Sequence, residues 1–186
     1  VQKNPEGKGW LVALRDNLDD NIFYITTDLV VNASGPWVEK TLGLFDKKSE
    51  KYHIRWVKGS HIIVPSLYQG DHAYLLQNED GRVIFTWPYE KEYTLVGTTD
   101  VDYKGDLEEV RIEFDEVEYL CHAVSRYFRH VLKPQDVMWT YSGVRPLVDD
   151  GKAAASKVSR EYILDLDDTL GAPILSVYGG KLTTYR

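Results

Sequence analysis

Along the first third of the chain, apolar residues come in short runs separated by polar turns, a pattern that predicts strands rather than helices. Gly9 to Arg15, Phe23 to Thr27 and the buried-looking run Leu29-Val30-Val31-Asn32-Ala33 are expected strands, and the last ends at Ser34-Gly35-Pro36. Pro36 suits a helix's first turn, so a short helix is expected over Trp37 to Leu42, with Gly43 as its stop. Between Ile54 and Thr98 further strands are expected at Ile54 to Val57, Ser60 to Val64, Ala73 to Gln77, Arg82 to Trp87 and Tyr93 to Gly97. Their β-branched and aromatic content fits a sheet, and Asp80-Gly81 marks a hairpin. One segment has the helical period instead: from Asp115, which can cap it, Val117, Leu120, Val124, Phe128 and Val131 recur until Lys133-Pro134 ends the run. Val137 to Tyr141, Arg160 to Leu166 and Ile174 to Val177 close the series as strands. The elements predict an α+β fold, an antiparallel or mixed β-sheet with few covering helices.

Composition narrows the class. Of 186 residues 43% are hydrophobic, and 22 Lys+Arg face 29 Asp+Glu for a net charge of −7. That is enough apolar material for one sizeable core or two small ones and too much for a disordered chain, while the acidic balance argues against nucleic acid as a partner. The single cysteine, Cys121, excludes an internal disulfide framework and a cysteine-based zinc site, and it suits a reducing compartment. No apolar run approaches the roughly 20 residues that cross a bilayer, and Val1 to Trp10 lacks a signal peptide's apolar stretch. The chain starts without methionine and stops at Arg186 directly after a motif, so it is expected to be a piece of a longer protein.

Three segments hold more glycine, polar and basic residues than a turn requires: Lys58-Gly59-Ser60-His61, Ser142-Gly143-Val144-Arg145-Pro146, and Gly179-Gly180-Lys181-Leu182-Thr183-Thr184-Tyr185-Arg186. In the last, two glycines follow an apolar strand and precede what reads as a helix's first turn, where free N–H groups suit an anion or an electron-rich carbonyl; the alternative is a turn that merely ends a strand. It is not a Walker A loop, because Leu175 stands where that pattern needs its first glycine. Arg145 and Arg160 could clamp a small dianion in two-point fashion or make surface ion pairs. His61 could accept a proton or be a satisfied half-buried side chain. The hydroxyls of Gly97-Thr98-Thr99-Asp100 could meet a polar ligand or stabilise a turn. Asp149-Asp150 has no partners at metal-ligand spacing.

Taken together and in order, Val31-Asn32-Ala33-Ser34-Gly35-Pro36-Trp37, Lys58 to His61, Gly97 to Asp100, Ser142 to Leu147 and Gly179 to Arg186 resemble the FAD-dependent aerobic glycerol-3-phosphate dehydrogenases, within the wider family of D-amino-acid-oxidase-like flavoproteins. The resemblance implies a Rossmann-like FAD-binding domain assembled from separated segments, here residues 1–37 and 173–186, around a substrate or cap domain at 38–172. The Gly-x-Gly-x-x-Gly fingerprint that would hold the FAD pyrophosphate has no counterpart in this chain. The resemblance assigns Ala33, Ser34, Gly35, Trp37, Gly179, Gly180, Lys181, Leu182 and Thr183 to the cofactor. It assigns Arg145, Arg160, Lys181 and Thr98 to the phosphate and oxygens of sn-glycerol 3-phosphate, and His61 and Lys181 to catalysis. It further implies electron transfer to quinone, a cytoplasmic protein resting on the inner face of the plasma membrane through its full-length form, and a possible homodimer. A glycerophosphate oxidase using oxygen and a non-catalytic small-anion-binding domain are the alternatives.

Overall fold

The computed structural model describes residues 1–49, 51–149, 151, 154–155, 158–169 and 172–180. In chain order the elements are β1 (Gln2–Lys3), β2 (Trp10–Arg15), β3 (Ile22–Thr27), β4 (Val30–Asn32), α1 (Val38–Leu42), β5 (Ile54–Pro65), β6 (Tyr74–Gln77), β7 (Val83–Tyr89), β8 (Tyr93–Gly97), β9 (Val101–Asp102), α2 (Phe114–Ser125), β10 (Trp139–Val148), β11 (Tyr162–Asp167) and β12 (Ile174–Gly179). The architecture is sheet-dominated with few helices, and its sheets are antiparallel or mixed, in line with the pattern of the sequence. Among the described residues no helix is long and apolar enough to cross a membrane.

The chain folds as two compact units. The first takes in Val1–Arg55, Pro146–Gly151 and the chain from Val158 on; the second is Trp56–Arg145. In the first, β1-β2-β3 form an antiparallel meander, and a second sheet runs β11-β12-β4 with β12 antiparallel to β11 and parallel to β4. Its core gathers Trp10, Val38, Leu42, Phe45, Ile174 and Tyr178. Trp10 stands edge-on to Phe45 and donates its indole N–H to Pro173 O at 2.8 Å, so its one polar atom is satisfied while its ring is buried.

The second unit is built on a six-stranded sheet in the order β10-β5-β8-β7-β6, with β9 continuing the β8 edge of β5. Helix α2 covers one face, where Leu120, Cys121, Ala123 and Val124 meet Ile62, Val64, Ile84 and Val96. The strand period of two carries those sheet residues to the helix side and sends their neighbours to the other.

Several boundaries differ from the sequence pattern. The two strands expected at 54–57 and 60–64 are one, β5, kept continuous by successive ladder partners, β9 at Val57 and Lys58 and β8 from His61 on. Helix α2 starts earlier than Asp115, with Glu113 as its cap in a box shared with Glu116. It stops at Ser125, whose hydroxyl bonds Cys121 O at 2.7 Å and accepts Leu132 N–H at 2.8 Å, folding the following chain back onto the core before the apolar period runs out. The first helix ends at Leu42 with Gly43 as its cap, as expected, and a single 3-10 turn over Gly43–Phe45 carries the chain on to Asp46, at φ 54°.

Candidate functional site

In the second unit, three of the motifs meet across β5. Alternation divides Lys58-Gly59-Ser60-His61 between two faces: Lys58 and Ser60 point to α2, Gly59 and His61 to the open side. The Arg145 guanidinium lies against Gly59, so closely that a Cβ built there would stand 2.5 Å from Arg145 Cζ. Nη2 donates to Thr98 Oγ1 at 2.9 Å, and Nη1 donates to Thr99 O at 3.3 Å and to Asp100 Oδ1 at 3.1 Å. A guanidinium held by these acceptors is already oriented before any ligand arrives.

His61 sits two residues along the same face, its ring stacked on Tyr141 at 4.7 Å between centroids and edge-on to Trp87 at 6.2 Å. Gly97 lies opposite it in the β5–β8 register, and a Cβ at 97 would come within 2.7 Å of the imidazole's Cγ and Nε2. Both glycines therefore make room for a functional side chain of the neighbouring strand. Burial, and secondarily the Arg145 charge, lower the His61 pKa to about 4, so the ring is neutral at pH 7. Among the described residues its buried Nδ1 has no hydrogen-bond partner. A neutral imidazole keeps one ring nitrogen able to accept a proton.

On the helix side lies a cluster that reading the sequence did not single out. Glu116, 5% exposed, pairs with Lys58, 3% exposed, at 2.7 Å. The carboxylate also accepts from Thr99 Oγ1 at 2.6 Å, Ser60 Oγ at 2.9 Å and Glu113 N–H at 2.9 Å. Burial alone would raise its pKa; the bonds from Lys58, Thr99, the Glu113 backbone and Ser60 outweigh that and lower it below the usual carboxylate value. Lys58 Nζ further donates to Arg111 O at 2.9 Å. One signal for this cluster was available: Glu116 stands one turn before Leu120 on the apolar stripe of α2, where a carboxylate has to find partners.

In the first unit the candidate residues gather at one end of the parallel pair. With Ser176 opposite Asn32 in register, Gly35 and Gly179 each lie three residues past the paired positions, at the carboxyl ends of β4 and β12. Gly35 has φ 57°, and a Cβ on it would find no atom nearer than Pro146 Cγ at 3.9 Å. Asn32, 2% exposed, braces this turn: its Nδ2 donates to Val38 O at 2.9 Å and its Oδ1 accepts from Ser34 Oγ at 2.7 Å. Ala33 and Trp37 are exposed, Trp37 by 43%. Gly179 has φ 71° and a Cβ there would lie 2.6 Å from Glu161 O, so its bareness serves strand packing. Gly180 N–H donates to that same carbonyl at 3.2 Å and is not free for a ligand. Arg160 precedes β11 in this unit, half-buried and engaged in an interaction of its own. Lys181, Leu182 and Thr183 lie outside the described residues.

Comparison with known proteins places the chain. The family model for FAD dependent oxidoreductases matches residues 1–186. The chain is 46% identical over 186 residues to D-erythritol 1-phosphate dehydrogenase of Brucella abortus, covering 100% of this chain and 37% of that protein. It is 48% identical over 158 residues to aerobic glycerol-3-phosphate dehydrogenase of Escherichia coli, covering 84% and 32% respectively. The chain thus spans about a third of the length of these curated relatives. Among solved structures, glycerol-3-phosphate dehydrogenase from Bacillus halodurans complexed with FAD superposes with a TM-score of 0.75 at 30% identity, over 95% of this chain and 33% of that one.

Proposed function

The chain belongs to the family of FAD-dependent oxidoreductases, and on that premise we propose that it is the substrate-domain portion, with flanking FAD-binding pieces, of a dehydrogenase that oxidises sn-glycerol 3-phosphate to dihydroxyacetone phosphate. The observation that carries this reading is the pairing, on one open face of β5, of a pre-oriented guanidinium and a neutral imidazole with a ring nitrogen able to accept a proton.

In this reading Arg145 and Thr98 take the phosphate and neighbouring oxygens, joined by Arg160 and Lys181. His61 accepts the proton of the secondary hydroxyl while its carbon gives up a hydride, leaving the ketone; Lys181 is the second catalytic candidate. FAD, when bound, supplies the hydride acceptor. The residues present fit that cofactor: the turn Ala33-Ser34-Gly35 is small, braced from within by Asn32 and set with Gly179 at the carboxyl ends of the parallel strands, where open α/β sheets receive dinucleotides. Ala33, Ser34, Gly35, Trp37, Gly179, Lys181, Leu182 and Thr183 would hold it, with residues 1–37 and 173–186 in the FAD-binding domain and 38–172 in the substrate domain.

In the FAD-loaded full-length protein, Arg145→Ala should cost on the order of 2–4 kcal/mol of transition-state binding, roughly 30- to 900-fold in kcat/KM for glycerol 3-phosphate. An unchanged kcat/KM for Arg145→Ala and for His61→Gln sinks the reading. The match to D-erythritol 1-phosphate dehydrogenase, over the whole of this chain and 37% of that protein, supports a second substrate, a longer alditol phosphate, and the ratio of kcat/KM for the two phosphates decides between them. Quinone is the proposed electron acceptor, reached by a cytoplasmic protein seated on the inner membrane face, with a homodimer as the expected assembly. An alpha-glycerophosphate oxidase of Streptococcus pneumoniae, 35% identical over 152 residues, keeps oxygen in view, and oxygen uptake measured with and without quinone separates the two acceptors.

A further inference from the structure

The buried ion pair under α2 touches neither Arg145 nor His61, yet it holds the backbone on which Arg145 rests. Ser60 has a single hydroxyl proton, and it goes to Glu116 Oε1; Ser142 Oγ, 2.9 Å from Ser60 Oγ, is therefore the donor in that contact. Thr99 Oγ1 donates to the same carboxylate oxygen and accepts from Ser60 N–H at 3.0 Å. One carboxylate thus fastens β5, the segment after β8 and β10, each at a residue belonging to a different sequence motif. Thr99 links the two sides. Its side chain is tied to Glu116, while its carbonyl receives Arg145 Nη1 at 3.3 Å and the Thr98 hydroxyl at 3.2 Å. Ser142 lies three residues before Arg145 on β10, so the strand that carries the guanidinium is tied to the same carboxylate through Ser60.

We propose that Glu116, charge-balanced by Lys58, is a positioning residue that sets the Arg145 guanidinium for a substrate phosphate by pinning Thr99, Ser60 and Ser142 from the helix side of the sheet. The proposal rests on the phosphate-binding role given to Arg145 above. A buried carboxylate suits the task because its two oxygens accept four bonds from four residues, which no neutral side chain of similar size could match. Stability alone does not call for such an arrangement, since apolar replacements of buried ion pairs are often at least as stable.

Glu116→Gln strands the Lys58 charge and risks misfolding, so the test uses Thr99→Val, which keeps the side chain's shape and loses the hydroxyl, with Thr99→Ser as the conservative variant. KM and kcat for glycerol 3-phosphate, the Kd of inorganic phosphate by calorimetry and Tm are measured on the FAD-loaded full-length protein, alone and in an Arg145→Lys background. We expect Thr99→Val to raise KM and the phosphate Kd about tenfold with kcat within about twofold, as for a lost hydrogen bond that acts on binding. Thr99→Ser should bring both back, and in the Arg145→Lys background Thr99→Val should add nothing, because its effect passes through that guanidinium. The proposal is overturned if Thr99→Val lowers Tm but leaves KM and the phosphate Kd unchanged, or if its effect is as large without Arg145 as with it. Failure of the functional reading shows separately: Arg145→Lys itself then leaves KM and the phosphate Kd unchanged, which overturns both.

Discussion

Gly59→Ala should lower activity by displacing the Arg145 guanidinium from its place against β5. The added methyl would lie 2.5 Å from Arg145 Cζ and closer still to Nη1 and Nη2, whereas ordinary van der Waals contact begins at 3.4 Å, so the guanidinium has to retreat by at least about 0.9 Å. It can do so, because it is the far end of a flexible side chain and not a backbone atom. The retreat stretches the 2.9 Å bond to Thr98 and the 3.1 Å bond to Asp100 beyond useful length. Hydrogen bonds to a charged group contribute about 1.5–3 kcal/mol each, and displacing the phosphate clamp by the same distance should cost about 2–3 kcal/mol in binding, or roughly 30- to 150-fold in kcat/KM. Stability falls too. Gly59 lies in a strand without a positive φ, so alanine gains about 0.4–1 kcal/mol by restricting the unfolded chain, which offsets only part of the lost bonding. The assay is steady-state turnover of glycerol 3-phosphate beside a thermal melt. A variant with full kcat/KM would show that Arg145 need not occupy the Gly59 position; one that fails to fold would show that the guanidinium cannot move aside.

Three other predictions follow from neighbouring geometry. Gly97→Ala drives a methyl into the imidazole at 2.7 Å, and because His61 is confined by Tyr141 and Trp87 the ring cannot swing freely; Tm should fall by several degrees and kcat more than KM, which a melt and turnover kinetics would show. His61 has a folded pKa of about 4 against 6.5 unfolded, so below pH 6.5 the unfolded state takes up a proton that the folded state refuses. Its contribution to stability is complete above 6.5 and falls away toward pH 4, and His61→Gln should flatten the drop in Tm over that window; an unchanged slope would contradict a buried neutral ring. Burial pushes the Cys121 thiol up to about 11, with Asp136 and Glu118 adding to it, so the native protein should resist an aromatic disulfide reagent at pH 8 and react only after unfolding; rapid native labelling would place Cys121 outside the core.

Periodicity made α2 and most strands legible, because an apolar stripe and an alternating run state which face is buried without reference to any partner. β1 was not legible: Gln2 and Lys3 are polar and join the sheet only through backbone pairing with Trp10 and Leu11. Gly59 and Gly97 announced a special backbone, yet neither has a positive φ, and their reason is a side chain 86 positions away in one case and 36 in the other. No local pattern encodes such a partner. Arg145, Thr98 and His61 are recognisable as a set through the motifs that carry them, whereas Glu116 lies inside a helix whose apolar stripe reads as core. Asn32 was likewise read as part of a strand, although its amide holds the turn that carries Ser34 and Gly35.

The two-sidedness of β5 limits how this region can change over evolutionary time. Point substitutions can be absorbed one face at a time, but gaining or losing a single residue between Val57 and Val64 would invert everything beyond it. An insertion before Lys58 would turn its ammonium away from Glu116 toward the open face and drive the His61 imidazole into the space that Ile62 and Val64 share with α2. Both the helix packing and the chemistry would fail together. Length variation among homologues should therefore be absent from this strand and collect in connections such as 66–73, where no ladder keeps count.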